Sequence, residues 1–124
     1  MKEETLDKFV FIEKEIAREK GGFALFGLFL REDSPNRWDI VVSASWFGKS
    51  RKKTLDFIAE KISSKLKPQE MIMLSRIVLL DPSSDFVKQI NQFAETEHQR
   101  LFFTKNYVND VEIQMGWIIT SKGD

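Results

Sequence analysis

Residues 23–30, with the sequence FALFGLFL, carry only apolar side chains apart from one glycine. Successive side chains of a β-strand point to opposite faces of the sheet, so this segment places large apolar groups on both faces. A strand of that kind has to be covered on both sides. The segment therefore predicts a buried strand inside a sheet, with the rest of the chain supplying neighbouring strands and helices for both faces.

A second strand is predicted directly after the first. The turn-forming stretch REDSPNR (31–37) precedes WDIVVSAS (38–45), which predicts an antiparallel hairpin with the first strand. The two faces of the second strand differ in chemistry. One row is apolar (Trp38, Ile40, Val42 and Ala44), and the other is mostly polar (Asp39, Val41, Ser43 and Ser45).

Three amphipathic helices are predicted around these strands. The spacing of apolar residues predicts a helix over 3–20, a second from about Ser50 to Leu66, and a third that begins at an Asp81 N-cap followed by Pro82. Further strands are predicted over 75–80, 101–107 and 111–120. The order αββαβαββ predicts an α+β (or α/β) fold over residues 1–124, a single domain with a mixed, mostly antiparallel sheet of about five strands.

Composition narrows the classes of function. The 124 residues include 19 basic and 19 acidic side chains, no cysteine and one histidine. Disulfides, thiolate metal sites and multi-histidine metal sites are thereby excluded, and we expect no cofactor. We expect His98 at the solvent-exposed end of the third helix. No membrane-length apolar segment and no secretory signal is present, so we expect a cytoplasmic protein without a membrane partner.

One acidic residue is predicted to point into the core. Glu13 lies within the apolar arc of the first helix, and a buried carboxylate needs a partner. Arg76, which interrupts an apolar run, is the expected counterpart. Two interpretations stay open: a structural ion pair, or a pocket in which Glu13 and Arg76 join Asp39, Ser43 and Ser45.

Glu13 and Asp39 also suggest an alternative function. Two carboxylates can hold a divalent cation, as in a metal-dependent hydrolase or phosphotransfer enzyme. A first helix with Glu13 before a hairpin bearing Asp39 resembles the restriction-endonuclease-like fold, over less than half of the chain. That resemblance implies an acidic-x-Lys pair on the strand after Asp39, whereas a helix is predicted there and the nearest match is Glu112-x-Gln114.

A basic cluster suggests a third function. Residues 49–67 contain seven basic and two acidic side chains, a net charge of +5, and KSRKK (49–53) follows Trp46 and Phe47. Aromatic groups beside cations are typical of nucleic-acid contacts, which makes Lys49, Arg51, Lys52 and Lys53 candidate contacts to an anion or nucleic acid. A solvated face and pairing with the acidic residues of 81–99 are the other interpretations. The zero net charge of the whole chain disfavours nucleic acid as the partner.

The aromatic content favours self-association. Phe57 lies opposite the core stripe of the second helix, and the chain contains eleven phenylalanines and three tryptophans. This is more apolar surface than three helices cover, which predicts a homodimer with Trp46, Phe47 and Phe57 in its interface. A different protein partner is the alternative. Since no catalytic constellation is complete, the leading hypothesis is a small interaction or regulatory domain without catalysis.

Overall fold

A computed structural model describes residues 1–33 and 36–123, and the side chains of residues 105 and 106 are outside this description. Two residues of the predicted turn, Ser34 and Pro35, lie outside the described residues. The elements in chain order are α1 (Glu3–Lys20), β1 (Leu25–Arg31), β2 (Trp38–Ser43), α2 (Arg51–Ser63), α3 (Pro68–Met71), β3 (Leu74–Leu80), α4 (Asp85–Phe93), β4 (Leu101–Val108) and β5 (Val111–Ser121).

The five strands form one sheet in the order β3-β2-β1-β5-β4. Strands β2 and β3 are parallel and are joined through α2 and α3, while the other neighbouring pairs are antiparallel. The predicted α+β class and the mixed, mostly antiparallel sheet are therefore confirmed. The structure adds one element that the sequence did not predict, the four-residue helix α3.

The predicted central strand lies in the middle of the sheet and is covered on both faces. On one face, Phe26 of β1 is buried in a core with Phe9 of α1 and Ile58 of α2. On the other face, Phe29 of β1 is buried with Ile90 of α4. Two helical layers thus bury the alternating side chains of one strand, as its uninterrupted apolar sequence requires.

Local signals at the helix ends were only partly predictive. Helix α1 ends where Gly21, at a φ of +119°, donates its N–H to the carbonyl of Ala17. Helix α2 has the expected N-cap, since the Ser50 hydroxyl accepts from the Lys53 N–H. The predicted cap of the third helix was wrong.

Helix α4 begins later than predicted because two capping signals compete. Asp81 accepts hydrogen bonds from the N–H and hydroxyl of Ser83, so its carboxylate holds a turn and does not cap the helix. Ser84 is the N-cap and accepts from the Val87 N–H. The Pro82 that favoured an earlier start lies in this turn.

Strand β2 is buried on both faces, including the mostly polar row of Asp39, Val41 and Ser43. Asp39 is only 3% exposed and Ser43 is fully buried, because α4 and the β4–β5 hairpin cover this face. None of the helices formed by residues 1–33 and 36–123 is long and apolar enough to cross a membrane.

Candidate functional site

A small cavity, which we call the Asp39 pocket, lies on the α4 side of the sheet. It has a volume of about 240 Å³. Residues of β1, β2 and β3, of the start of α4 and of the β4–β5 turn line it. Its polar side chains include Arg31, Asp39 and Arg76. Its apolar wall consists of Phe29, Val41, Val78, Phe86 and Ile113, with further apolar groups at the rim.

Two arginines approach one buried carboxylate in this pocket. Arg31 Nε donates to Asp39 Oδ2 at 2.7 Å, and Arg31 also reaches the exposed Asp33. Arg76 Nε lies 3.3 Å from Asp39 Oδ1. Within the described part of the chain, Oδ1 has no hydrogen-bond partner, so the Arg76 contact is one of charge without hydrogen-bond geometry.

The predicted pocket is only partly assembled. Asp39 and Arg76 line it together, whereas Ser43 is buried elsewhere on β2 and Ser45 lines two other surface depressions. Arg31 was not among the predicted pocket residues. Its signal was available, since Arg31 at the end of one hairpin strand and Asp39 near the start of the next are opposite charges on the same face.

Glu13 is buried as predicted, but its partner is not Arg76. Its side chain has no exposed surface, and Oε1 lies 2.5 Å from Nδ1 of His98. Its other oxygen accepts from the Thr120 hydroxyl at 3.0 Å. The expected Glu13–Arg76 pair is thus replaced by a Glu13–His98 contact.

His98 is therefore not a solvent-exposed helix end. Its side chain is about one-third exposed, and its backbone has a φ of +57° in the loop after α4. Its backbone N–H donates a hydrogen bond to the hydroxyl of Thr120, and this bond holds the loop against β5. This arrangement orients the imidazole toward Glu13.

Glu13 and Asp39 lie on opposite faces of the sheet. Glu13 projects from α1, which packs with Phe26 and Ile40, while Asp39 precedes Ile40 on β2 and points to the α4 side. The pair proposed for a metal-dependent hydrolase is therefore not brought together. Among the described residues, no group of three or more acidic or histidine side chains is close enough to hold a metal ion.

The basic cluster lies at the start of α2. Arg51 donates to the carbonyl of Leu79, and Lys52 forms an ion pair with Asp56 at 2.9 Å. Lys49 and Lys53 line a cavity of about 480 Å³ together with Lys20. The partners of the cluster are thus Asp56 of α2 and a carbonyl of β3, whereas no ion pair with the acidic residues of 81–99 is found among the described residues. Nucleic-acid binding stays a prediction.

The aromatic residues predicted for an interface pack on one another, and their place in an interface stays a prediction. The ring centroid of Trp46 lies 4.9 Å from that of Phe47 and 6.3 Å from that of Phe57. All three side chains are half-buried, and the ammonium groups of Lys20 and Lys61 lie over the Phe57 ring. Phe57 therefore contributes to the packing of its own chain.

A different apolar surface is exposed at the β4 edge of the sheet. It consists of Phe93 at the end of α4 and of Leu101, Phe102 and Tyr107 on β4, with exposed fractions of 40–68%. Phe93 contacts Phe103, and the rings of Phe102 and Trp117 lie 4.7 Å apart with a tilt of 46°. Phe93 and Leu101 lie on the α4 side of the sheet and Phe102 on the α1 side, so the four side chains, which we call the β4 surface, flank the strand edge on both faces.

Comparison of the chain with protein-family models, with curated proteins and with solved structures gives no significant match.

Proposed function

We propose that this protein is an interaction module that forms a homodimer through strand β4. The observation that supports this most directly is the concentration of exposed apolar side chains on the β4 surface, at an edge of the sheet. An edge strand offers unpaired N–H and C=O groups that can pair with another strand. An antiparallel pairing of β4 with its copy would extend the sheet to ten strands and place the side chains of the second copy beside these exposed ones on both faces of the sheet.

The composition of β4 favours a second copy as the occupant. Its eight residues, LFFTKNYV, contain one charged side chain, so two copies can pair without a row of like charges. Natural edge strands are commonly protected by short length, by proline or by several charges. Strand β4 is longer than the usual five or six residues and contains no proline.

The opposite edge of the sheet offers a contrast. Two carbonyls of β3 accept hydrogen bonds from arginine side chains, Leu74 from Arg37 and Leu79 from Arg51. No side chain among the described residues donates to a carbonyl of β4. Of the two edges, β4 is therefore the one with more backbone groups available for strand pairing.

The proposal is tested by light scattering coupled to gel filtration, over about 1–300 µM protein, a range that brackets a weak dimer. We expect a 29 kDa species, twice the 14.5 kDa of one chain, at the upper end of the range. The double variant Leu101→Lys/Phe102→Glu should stay monomeric, since it places charges in the proposed interface.

Ile72→Lys is the matched control, because Ile72 is 72% exposed and lies in the turn between α3 and β3. This variant should dimerise like the unmodified protein. A monomer at every concentration would refute the homodimer. If the double variant forms a dimer as stable as that of the unmodified protein, the interface does not involve β4.

A further inference from the structure

We propose that the Asp39 pocket binds a hydrophobic α-amino acid in its zwitterionic form. The proposal is independent of dimerisation through β4. It rests on three features that one small ligand can satisfy together: a buried carboxylate oxygen without a hydrogen-bond partner, a partly exposed guanidinium, and an apolar wall.

The carboxylate of Asp39 can accept a hydrogen bond from a donor group of the ligand. Asp39 has a side chain that is only 4% exposed, and one of its oxygens is satisfied by Arg31. The other oxygen, Oδ1, has no hydrogen-bond partner among the described residues. The Arg76 guanidinium balances the charge at Oδ1 without donating a hydrogen bond to it, so an ammonium group placed there would add the hydrogen bond that this buried acceptor lacks.

The guanidinium of Arg76 can bind an anionic group of the ligand. Arg76 is 55% exposed and approaches Asp39 through Nε at 3.3 Å. A planar guanidinium can donate two parallel hydrogen bonds to a carboxylate, a geometry with both strength and orientation. Arg31 is already held between Asp39 and Asp33, so Arg76 is the arginine suited to a ligand.

The volume and the apolar wall of the pocket determine the size of the ligand and the polarity of its side chain. A volume of about 240 Å³ is below the roughly 300 Å³ at which sites for larger ligands begin. The apolar wall favours an aliphatic or aromatic side chain over a polar one. A ligand with adjacent ammonium and carboxylate groups and one apolar side chain matches all three features.

Entry requires a movement of Arg76. Asp39 Oδ1 is itself shielded from solvent, and Arg76 is the charged group over it. A side chain that is more than half exposed can change rotamer without unpacking the core. The ligand carboxylate would then draw the guanidinium outward, and the ligand ammonium would take its place beside Oδ1.

Titration calorimetry with four compounds tests the proposal: leucine, phenylalanine, leucinamide and 4-methylpentanoate. Leucinamide lacks the carboxylate, and 4-methylpentanoate lacks the ammonium group. We expect leucine or phenylalanine to bind with a Kd on the order of 0.1 mM. Loss of either charged group should weaken binding at least about tenfold, as for a charge-assisted hydrogen bond. Equal affinity of leucine and either analogue would overturn the zwitterion assignment.

Two variants locate the binding site. Arg76→Met keeps the length of an exposed side chain and should weaken leucine and phenylalanine at least about tenfold, and Val78→Phe should block the cavity. Arg18→Met, an exposed arginine of α1 on the other face, is the control and should bind normally. Circular dichroism establishes that each variant is folded. No binding of either amino acid up to about 10 mM, or affinity unchanged in folded Arg76→Met, would refute the proposal.

Discussion

Glu13 is a fully buried carboxylate whose partner comes from a residue 85 positions away in the chain. Its contacts with His98 and Thr120 fasten α1 to the loop after α4 and to β5. Removal of a hydrogen-bond partner leaves the buried carboxyl group of Glu13 unsatisfied, which costs more than the hydrogen bond itself contributes. The energetic role of Glu13 can therefore be measured through its coupling to His98.

A double-mutant cycle in urea with Glu13→Gln and His98→Gln should give a coupling energy of about 1–3 kcal/mol. The same cycle with Glu13→Gln and Arg76→Met should give a coupling within about 0.5 kcal/mol of zero, since those side chains lie on opposite faces. The reverse ranking of the two couplings would contradict the observed contacts.

Glu70 connects the short helix α3 to α1. It accepts hydrogen bonds from the Lys67 N–H, the Lys8 ammonium and the Thr5 hydroxyl. These hydrogen bonds lower the pKa of Glu70 from 4.5 to about 2. The bond from the Lys67 N–H has the largest effect, and those from Lys8 and Thr5 have smaller ones. Because the folded-state pKa lies below that of the unfolded chain, the charged form stabilises the fold above pH 4.5.

The stability contributed by Glu70 should be lost as the pH falls from about 4.5 to about 2. Glu70→Gln should be less stable than the unmodified protein at pH 7 by about 1–3 kcal/mol, and the difference should shrink across this window. Urea midpoints for both proteins between pH 7 and pH 2.5 measure the effect. A difference that stays constant down to pH 2.5 would contradict the assignment.

At the level of the elements, β5 carries a glycine where two aromatic rings approach it. A Cβ at Gly116 would lie 2.5 Å from the Phe103 ring and 2.7 Å from the Phe29 ring. Phe103 is partly exposed and can move, but Phe29 is buried and in contact with Phe86. The close contact with Phe29 therefore makes this position intolerant of a side chain.

Gly116→Ala should lower the free energy of unfolding by about 1–3 kcal/mol, the usual effect of overpacking. Gly48→Ala is the matched control, because a Cβ at Gly48 would meet nothing within 4 Å. Its effect should stay within about 0.5 kcal/mol. Equal stability of the two variants, measured in urea, would show that the rings yield without cost.

The elements were predictable where periodicity is long. Helix α1 begins and ends at the predicted residues, and all five strands were found with ends shifted by a few residues. Helix α3 has only four residues, too few to give a helical period. The start of α4 was misplaced because Asp81-Pro82 and Ser84 are both capping signals, and only the turn at Ser83 decides between them.

The side-chain partners were predictable in kind but not in identity. The helical arc placed Glu13 in the core, and a buried carboxylate implied a partner, but pattern alone could not choose between Arg76 and His98. That choice depends on the loop that returns to β5, a long-range feature. Phe57 was misjudged for a similar reason, since Trp46 reaches it from the loop before α2.

On the scale of the whole molecule, the two proposed surfaces differ in composition. The Asp39 pocket combines charged groups with an apolar wall, which suits a small ligand, whereas the β4 surface is apolar and borders an open strand edge. Large exposed apolar patches on proteins commonly mark interaction sites. The exposed apolar side chains and the open edge together are the basis of the proposed pairing of β4 with a second copy.

Hydrogen exchange of the β4 amides at low and high protein concentration measures whether β4 pairs with a second copy. Strand pairing should slow exchange within residues 101–108 at about 300 µM relative to about 5 µM, because outward-facing N–H groups become hydrogen-bonded. The amides of β3, at the other edge, should exchange at the same rate in both samples. Exchange in β4 that does not change with concentration, in a sample that light scattering shows to be dimeric, would rule out pairing through β4.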